Sequence, residues 1–113
     1  YMGEDPYLAS AMVVPYIKGV QANGVATCVK HYALNNQEQR RHTTDVDLSD
    51  RALYEIYLPA FKAAVMDGGT WSIMSSYNLY KGRHVCQNQR LLKEILRDEW
   101  GFLTGVVCIT PSR

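Results

Sequence analysis

The chain has 113 residues, 47% hydrophobic and 20% charged, with a formal net charge of +1. This balance excludes a disordered polymer, and it argues against a chain that works through bulk charge on nucleic acid or on an acidic membrane surface. The length suffices for one modest core; Tyr1 is not a start methionine, no charged-then-apolar leader precedes Gly3 and no apolar run reaches membrane-spanning length, so the chain reads as an internal piece.

From Pro6 onward, Leu8, Ala11, Met12, Val14, Pro15, Ile17 and Val20 fall largely on one helical stripe. A helix is predicted here, opened by Asp5 and Pro6, closed by Gly24 and disturbed at Pro15. Residues 25–32, "VATCVKHY", form a short apolar run between Gly24 and polar residues, the pattern of a buried strand. A polar loop follows. The stretch "LSDRALYEIYLPAFKAAVMDGG" then predicts a helix that starts at Ser49 or Asp50, kinks at Pro59 and stops at Gly68 and Gly69. "TWSIMSSYN", residues 70–78, reads as a second strand, and a turn with Gly82 leads into the amphipathic "NQRLLKEILRDEWG" helix. "TGVVCIT", residues 104–110, is the third predicted strand.

The three cysteines, Cys28, Cys86 and Cys108, are odd in number and widely spaced, unlike a disulfide framework or a zinc site. Cys28 and Cys108 lie in apolar runs and are expected in the core. No metal-ligand spacing is present.

Helices alternating with strands indicate α/β architecture with a parallel sheet, each strand returning through a crossover helix. Three strands are fewer than half of a closed eight-stranded barrel, so the expected fold is a partial (β/α)8 TIM barrel. A small doubly wound sheet is the alternative, but the first βα turn, "KHYALNNQE", has no glycine with which to cradle phosphate. In barrels, ligands lie against the carboxyl ends of the strands. That places Lys30, His31 and the loop through Arg41 beside Ser76, Tyr77 and Asn78. Such a mixture of donors, acceptors and one aromatic suits a neutral, hydroxyl-rich ligand such as a sugar.

The blocks "EDPYLAS", "VKHYALNNQEQRR", "DRALYEIYLPAFKAAV", "IMSSYN" and "LLKEILRDEWGF" carry a resemblance. In order and spacing, from Gly3 to about Val107, the chain resembles the amino-terminal barrel domain of glycoside hydrolase family 3, the β-glucosidase and β-xylosidase family. Its most specific feature is "KH" with "NNQE" and an arginine eleven residues after the lysine. The resemblance implies that residues 1–113 are part of that catalytic barrel. It implies that Lys30, His31, Arg41 and Tyr77 line the subsite for the terminal sugar of a β-linked glucoside, xyloside or oligosaccharide. It also implies a retaining mechanism, in which an aspartate on a later strand attacks the anomeric carbon and a separate acid/base residue, often a glutamate of a following domain, assists. No metal or organic cofactor is implied, nor nucleic-acid binding or membrane insertion. For localisation the resemblance is compatible with a secreted, periplasmic or vacuolar parent protein, and no targeting signal is visible in the chain.

The sequence departs from that family where the nucleophile belongs. After "DEWGF" the family has an apolar strand and then Ser-Asp-Trp or Thr-Asp-Trp, whereas this chain reads "LTGVVCITPSR". Depending on the alignment, Thr110, Ile109 or Pro111 takes the aspartate position, and no Asp or Glu follows Glu99. The chain alone is therefore expected to be inactive, lacking the rest of its barrel and its carboxyl-terminal domain. Plainer roles exist for the same residues. Lys30 suits a solvated strand end, His31 a core or surface position, Arg41 a surface ion pair and Tyr77 a packing position. Asn35, Asn36, Gln37 and Glu38 suit a loop ordered by its own side chains, with Glu38 as a catalytic acid the lesser reading. Trp71 is a candidate for stacking on sugar, and Trp100 completes an apolar helical stripe as a core residue. Two rival functions follow from an incomplete barrel: a carbohydrate-binding remnant without chemistry, and an interaction fragment that oligomerises through exposed strand edges.

Overall fold

The computed structural model describes residues 2–108. Helix α1 (Pro6–Gln21) begins where the Asp5 carboxylate accepts from the N–H groups of Tyr7 (2.8 Å) and Leu8 (3.2 Å), with Pro6 in the first turn where no donor is missed. Contrary to the expected disturbance, α1 runs unbroken through Pro15. Ala11, whose carbonyl loses its partner to the proline, is exposed together with Pro15, so solvent can serve that carbonyl.

Strand β1 (Cys28–Tyr32) is shorter than expected, because residues 25–27 lie outside it and Val25 is exposed. The short strand β2 (Asp45–Val46) precedes helix α2 (Asp50–Ala52), whose start is capped by Ser49 Oγ accepting from Ala52 N at 3.2 Å. Pro59 interrupts the helical pattern as anticipated. A wide turn over Leu53–Tyr57, closed by Leu58 N donating to Leu53 O at 2.9 Å, lets Pro59 open helix α3 (Pro59–Met66) at a position that needs no N–H.

Strand β3 (Ser72–Ser75) is followed by a hairpin of β4 (Leu79–Tyr80) and β5 (Arg83–His84). Lys81 and Gly82 turn it with φ of 51° and 78°, the two positive values a two-residue hairpin loop requires. After a short turn over Val85–Gln87, helix α4 (Arg90–Glu99) winds in a wide register, with Trp100 N bonded to Ile95 O at 3.1 Å. It delivers the chain to β6 (Gly105–Val107). The last two residues of the third predicted strand, 109 and 110, lie outside the described residues.

The main sheet has the order β1-β3-β6, with every pair parallel, as the alternation of helices and strands demands. A second small sheet, β2-β4-β5, joins the loop after β1 to the hairpin after β3. This sheet was not anticipated, since residues 33–48 read as a polar loop. Asp45 ties the two parts further by accepting from Gly82 N at 2.9 and 3.0 Å.

The helices cover one face of the main sheet. Tyr32, Leu53, Leu58, Ile73, Leu91, Ile95 and Leu96 are fully buried there. Tyr32 meets Phe61 and Trp100 edge-on at 5.2 and 6.0 Å and donates its hydroxyl to Leu91 O at 2.8 Å, so Trp100 is a core residue as expected. A second cluster seals α1 to α3 through Val13, Ile17 and Ala64. Gly68 sits at this seam, where a Cβ would lie 2.8 Å from Ala64 O and 3.0 Å from Ile17 Cδ1.

Cys28 and Cys108 are exposed, which corrects the expectation of core packing. Both belong to the flanks of the sheet. Cys28 opens β1 on the face that also exposes Lys30, and Cys108 follows β6 at the opposite edge, so an apolar run did not mean helix cover on both faces. Among the described residues, no helix is long and apolar enough to cross a membrane.

Candidate functional site

The carboxyl ends of β1 and β3 are fastened together by one residue. Ser76 donates its backbone N–H to Tyr32 O at 2.7 Å and its hydroxyl to Ala33 O at 2.6 Å, both out of solvent. The β1 end carries Lys30, exposed, and His31, half-buried, and the peptides Lys30–His31 and Tyr32–Ala33 are cis. The β3 end continues directly into Tyr77 and the buried Asn78.

The loop after β1 folds on its own side chains. Glu38 accepts from Asn35 Nδ2 at 3.0 Å through one oxygen and from Arg41 Nη1 at 2.9 Å through the other. Gln37 donates to Gln39 O at 2.8 Å, and Thr43 and Thr44 donate their hydroxyls to Arg40 O. The loop-ordering role expected of Asn35, Gln37 and Glu38 is thus visible in their partners. It brings Arg41 over the face of Tyr77, with the guanidinium carbon 4.8 Å from the ring centre. His42 packs on the same ring at 4.7 Å, and His84 Nδ1 lies 3.1 Å from Tyr77 O.

Arg41 and Tyr77 are therefore in direct contact. At the end of β1, His31 is held below its ordinary pKa first by burial and then by Lys30, with Glu38 opposing and Arg41 adding to the effect. A neutral imidazole both donates and accepts, while Lys30 and Arg41 only donate. The ensemble offers several donors, a mixed group and an aromatic face, a set that matches hydroxyls on an apolar ring. His42 and His84 escaped the sequence reading, because two exposed histidines with no neighbouring motif give no sign that they flank a tyrosine. Trp71 lies at the other end of β3, where with Met66, Trp100 and Leu103 it lines a separate cleft of about 350 Å³. It takes no part in this cluster. The described residues contain no group of three or more His, Cys, Asp or Glu side chains able to hold a metal ion.

Parallel strands joined by crossover helices, with polar side chains gathered at the carboxyl ends, define an arc of a (β/α)8 barrel domain. The chain belongs to glycosyl hydrolase family 3, whose N-terminal domain profile matches residues 2–109. It is 67% identical over 102 residues to the β-glucosidase BoGH3A of Bacteroides ovatus, an alignment covering 90% of this chain and 14% of that protein. It is 51% identical over 107 residues to an exo-α-(1→6)-L-arabinopyranosidase of Bifidobacterium breve, covering 95% of this chain and 14% of the relative. Among solved structures, β-glucosidase 3B of Thermotoga neapolitana in complex with glucose superposes with a TM-score of 0.93 at 47% identity, over 96% of this chain and 15% of that one. The chain thus spans about a seventh of the length of these relatives.

Proposed function

We propose that this chain supplies the terminal-sugar pocket of a β-glucosidase-type, retaining glycoside hydrolase acting on β-linked glucosides, xylosides or oligosaccharides. The observation that carries the reading is the Arg41–Tyr77 contact at the carboxyl ends of β1 and β3, with Lys30 and His31 in the last residues of β1. Lys30 and Arg41 donate to sugar hydroxyls, His31 donates and accepts, and Tyr77 adds an aromatic face and a hydroxyl. These groups hold the sugar ring while carboxylates elsewhere in a longer protein do the chemistry. One attacks the anomeric carbon as the other protonates the departing oxygen; water, deprotonated by the second, then releases the sugar with retained configuration.

Residues 1–113 by themselves do not hydrolyse glycosides on this reading. None of Ile109, Thr110 and Pro111, the residues that align with the family's nucleophile depending on the alignment, is a carboxylate, and the hydroxyl of Thr110 without a neighbouring base is a poor substitute for one. Glu38 is an unsuitable replacement acid, since Asn35 and Arg41 engage both of its oxygens.

The test is to read the coding sequence beyond Arg113, express the longer protein beside the 113-residue chain, and assay 4-nitrophenyl β-glucoside, β-xyloside and α-L-arabinopyranoside. The last substrate is included because one relative carries that activity in its name. The longer protein is expected to turn over at least one of them, with retention seen by NMR of the first-formed anomer, and the short chain none. Turnover by the short chain, or inversion by the long one, would overturn the proposal.

A further inference from the structure

Tyr77 is fixed in one way through its main chain and in another through its ring. Along the chain it sits between two buried residues, Ser76 and Asn78. Ser76 is tied to the end of β1 by its N–H and its hydroxyl, and Asn78 O accepts from Val85 N at 3.0 Å. His84 Nδ1, 3.1 Å from Tyr77 O, adds a tie from β5. These contacts hold the backbone and leave the phenol free to turn about its two side-chain bonds, so a half-buried ring here is directed by whatever packs on it.

Two consecutive residues of the loop after β1 pack on it. The Arg41 guanidinium carbon lies 4.8 Å from the ring centre, and the His42 ring lies 4.7 Å away at an interplanar angle of 55°. Their side chains differ in what else they do. Arg41 is bound to Glu38 at 2.9 Å, and as a pure donor its guanidinium is drawn toward any ligand hydroxyl within reach. The His42 side chain is exposed and packs on Tyr77, so it can stay on the ring while the guanidinium engages a sugar. An aromatic pair at this separation favours one arrangement over its alternatives by roughly two- to tenfold. Arg41 keeps its Glu38 anchor whether or not position 42 carries a ring, and the Tyr77 backbone keeps its ties. The His42 contact therefore acts on the phenol alone.

We infer that His42 is a positioning residue of the sugar pocket, one that holds the Tyr77 ring, and with it the phenol hydroxyl, at the carboxyl end of β3 beside Arg41. This role rests on the reading of Lys30, His31, Arg41 and Tyr77 as that pocket, and the imidazole acts through Tyr77 rather than on the sugar. The loop that delivers the guanidinium thus also delivers, one residue later, the ring that steadies its neighbour.

Three substitutions separate the ring from the rest of the histidine. His42→Ala removes the side chain, His42→Gln keeps a polar group without a ring, and His42→Phe keeps a ring without its nitrogens. Position 42 is exposed, so all three should keep the wild-type melting temperature. In the isotope-labelled 113-residue chain, NMR side-chain couplings of Tyr77 report its rotamer populations. The ratio of major to minor rotamer should fall roughly two- to tenfold in His42→Ala and His42→Gln and return in His42→Phe. In the longer protein read beyond Arg113, kcat/KM for whichever of the three nitrophenyl glycosides it turns over should fall by a similar factor in the same two variants and recover in His42→Phe. Unchanged Tyr77 rotamers in His42→Ala overturn the inference, as does recovery by Gln in place of Phe, which would give position 42 a hydrogen bond instead of a ring contact. Shifted rotamers with unchanged kcat/KM overturn it as well, because the ring would then be held for the loop and not for the sugar. If the longer protein with His42 intact turns over none of the glycosides, the pocket reading fails and takes the role with it, while the couplings in the short chain still show whether His42 directs the ring.

Discussion

Arg41 is held from two sides, its Nη1 2.9 Å from Glu38 Oε2 and its guanidinium carbon 4.8 Å from the centre of the Tyr77 ring. The first contact fixes the arginine within its loop, and the second fixes the loop against the end of β3. Because Arg41 and Glu38 are 40% and 63% exposed, the pair adds less than about 1 kcal/mol to global stability. Arg41→Ala should therefore leave the melting temperature almost unchanged yet speed amide hydrogen exchange across residues 35–44. A large fall in melting temperature would show that the arginine holds the fold rather than the loop.

His31 gives the site a pH dependence whose sign is fixed. Its folded pKa lies below the ordinary 6.5, so the unfolded chain binds more protons between those two values. The contribution to stability is complete above the ordinary value and is lost as pH falls through it toward the lowered folded one. His31→Gln should flatten the acid limb of a plot of melting temperature against pH, with the difference from wild type growing below about 6.5. Parallel curves for the two proteins across that range would sink the assignment.

Gly68 is a matter of space. A methyl group there would press on the backbone oxygen of Ala64 at 2.8 Å, which cannot swing aside as a flexible side-chain end can. Gly68→Ala should cost about 1–3 kcal/mol, read as a lower urea midpoint at unchanged slope. A neutral result would mean that the turn after α3 opens away from Ala64 O without penalty.

Tyr32→Phe isolates one buried hydrogen bond. The ring contacts with Phe61 and Trp100 survive, but Leu91 O loses its 2.8 Å donor inside the core. A loss of about 1–2 kcal/mol is expected in denaturant unfolding. A change of a few tenths would indicate that another group reaches the carbonyl.

The sequence exposed the elements with strong periods or end signals. Asp5–Pro6, the stripe through Val20, and the apolar runs around Val29, Ile73 and Val106 announced α1 and the three parallel strands. The second sheet stayed hidden, because two-residue strands such as Asp45–Val46 have no period and form only when Thr44 O meets Leu79 N across the fold. Arg41 and Tyr77 were legible as neighbours through the barrel rule that gathers strand ends and through family resemblance, but their contact spans 36 residues of chain and no local pattern reports it. Cys28 and Cys108 misled because an apolar run on an outer strand looks the same in sequence as one between two covered faces. The burial of Asn78 was equally invisible: one amide in "SSYN" does not reveal that its side chain ends up out of solvent.

Ser76 spans the ends of β1 and β3 with both its amide and its hydroxyl. The side chains that follow each strand therefore share one rigid frame, in which the spacing of His31 and Tyr77 is set by main chain. The loop bearing Arg41 is tied instead to the hairpin after β3, through Thr44 O on Leu79 N and Asp45 on Gly82 N. A residue of that loop can change its reach without disturbing the two strands beneath it.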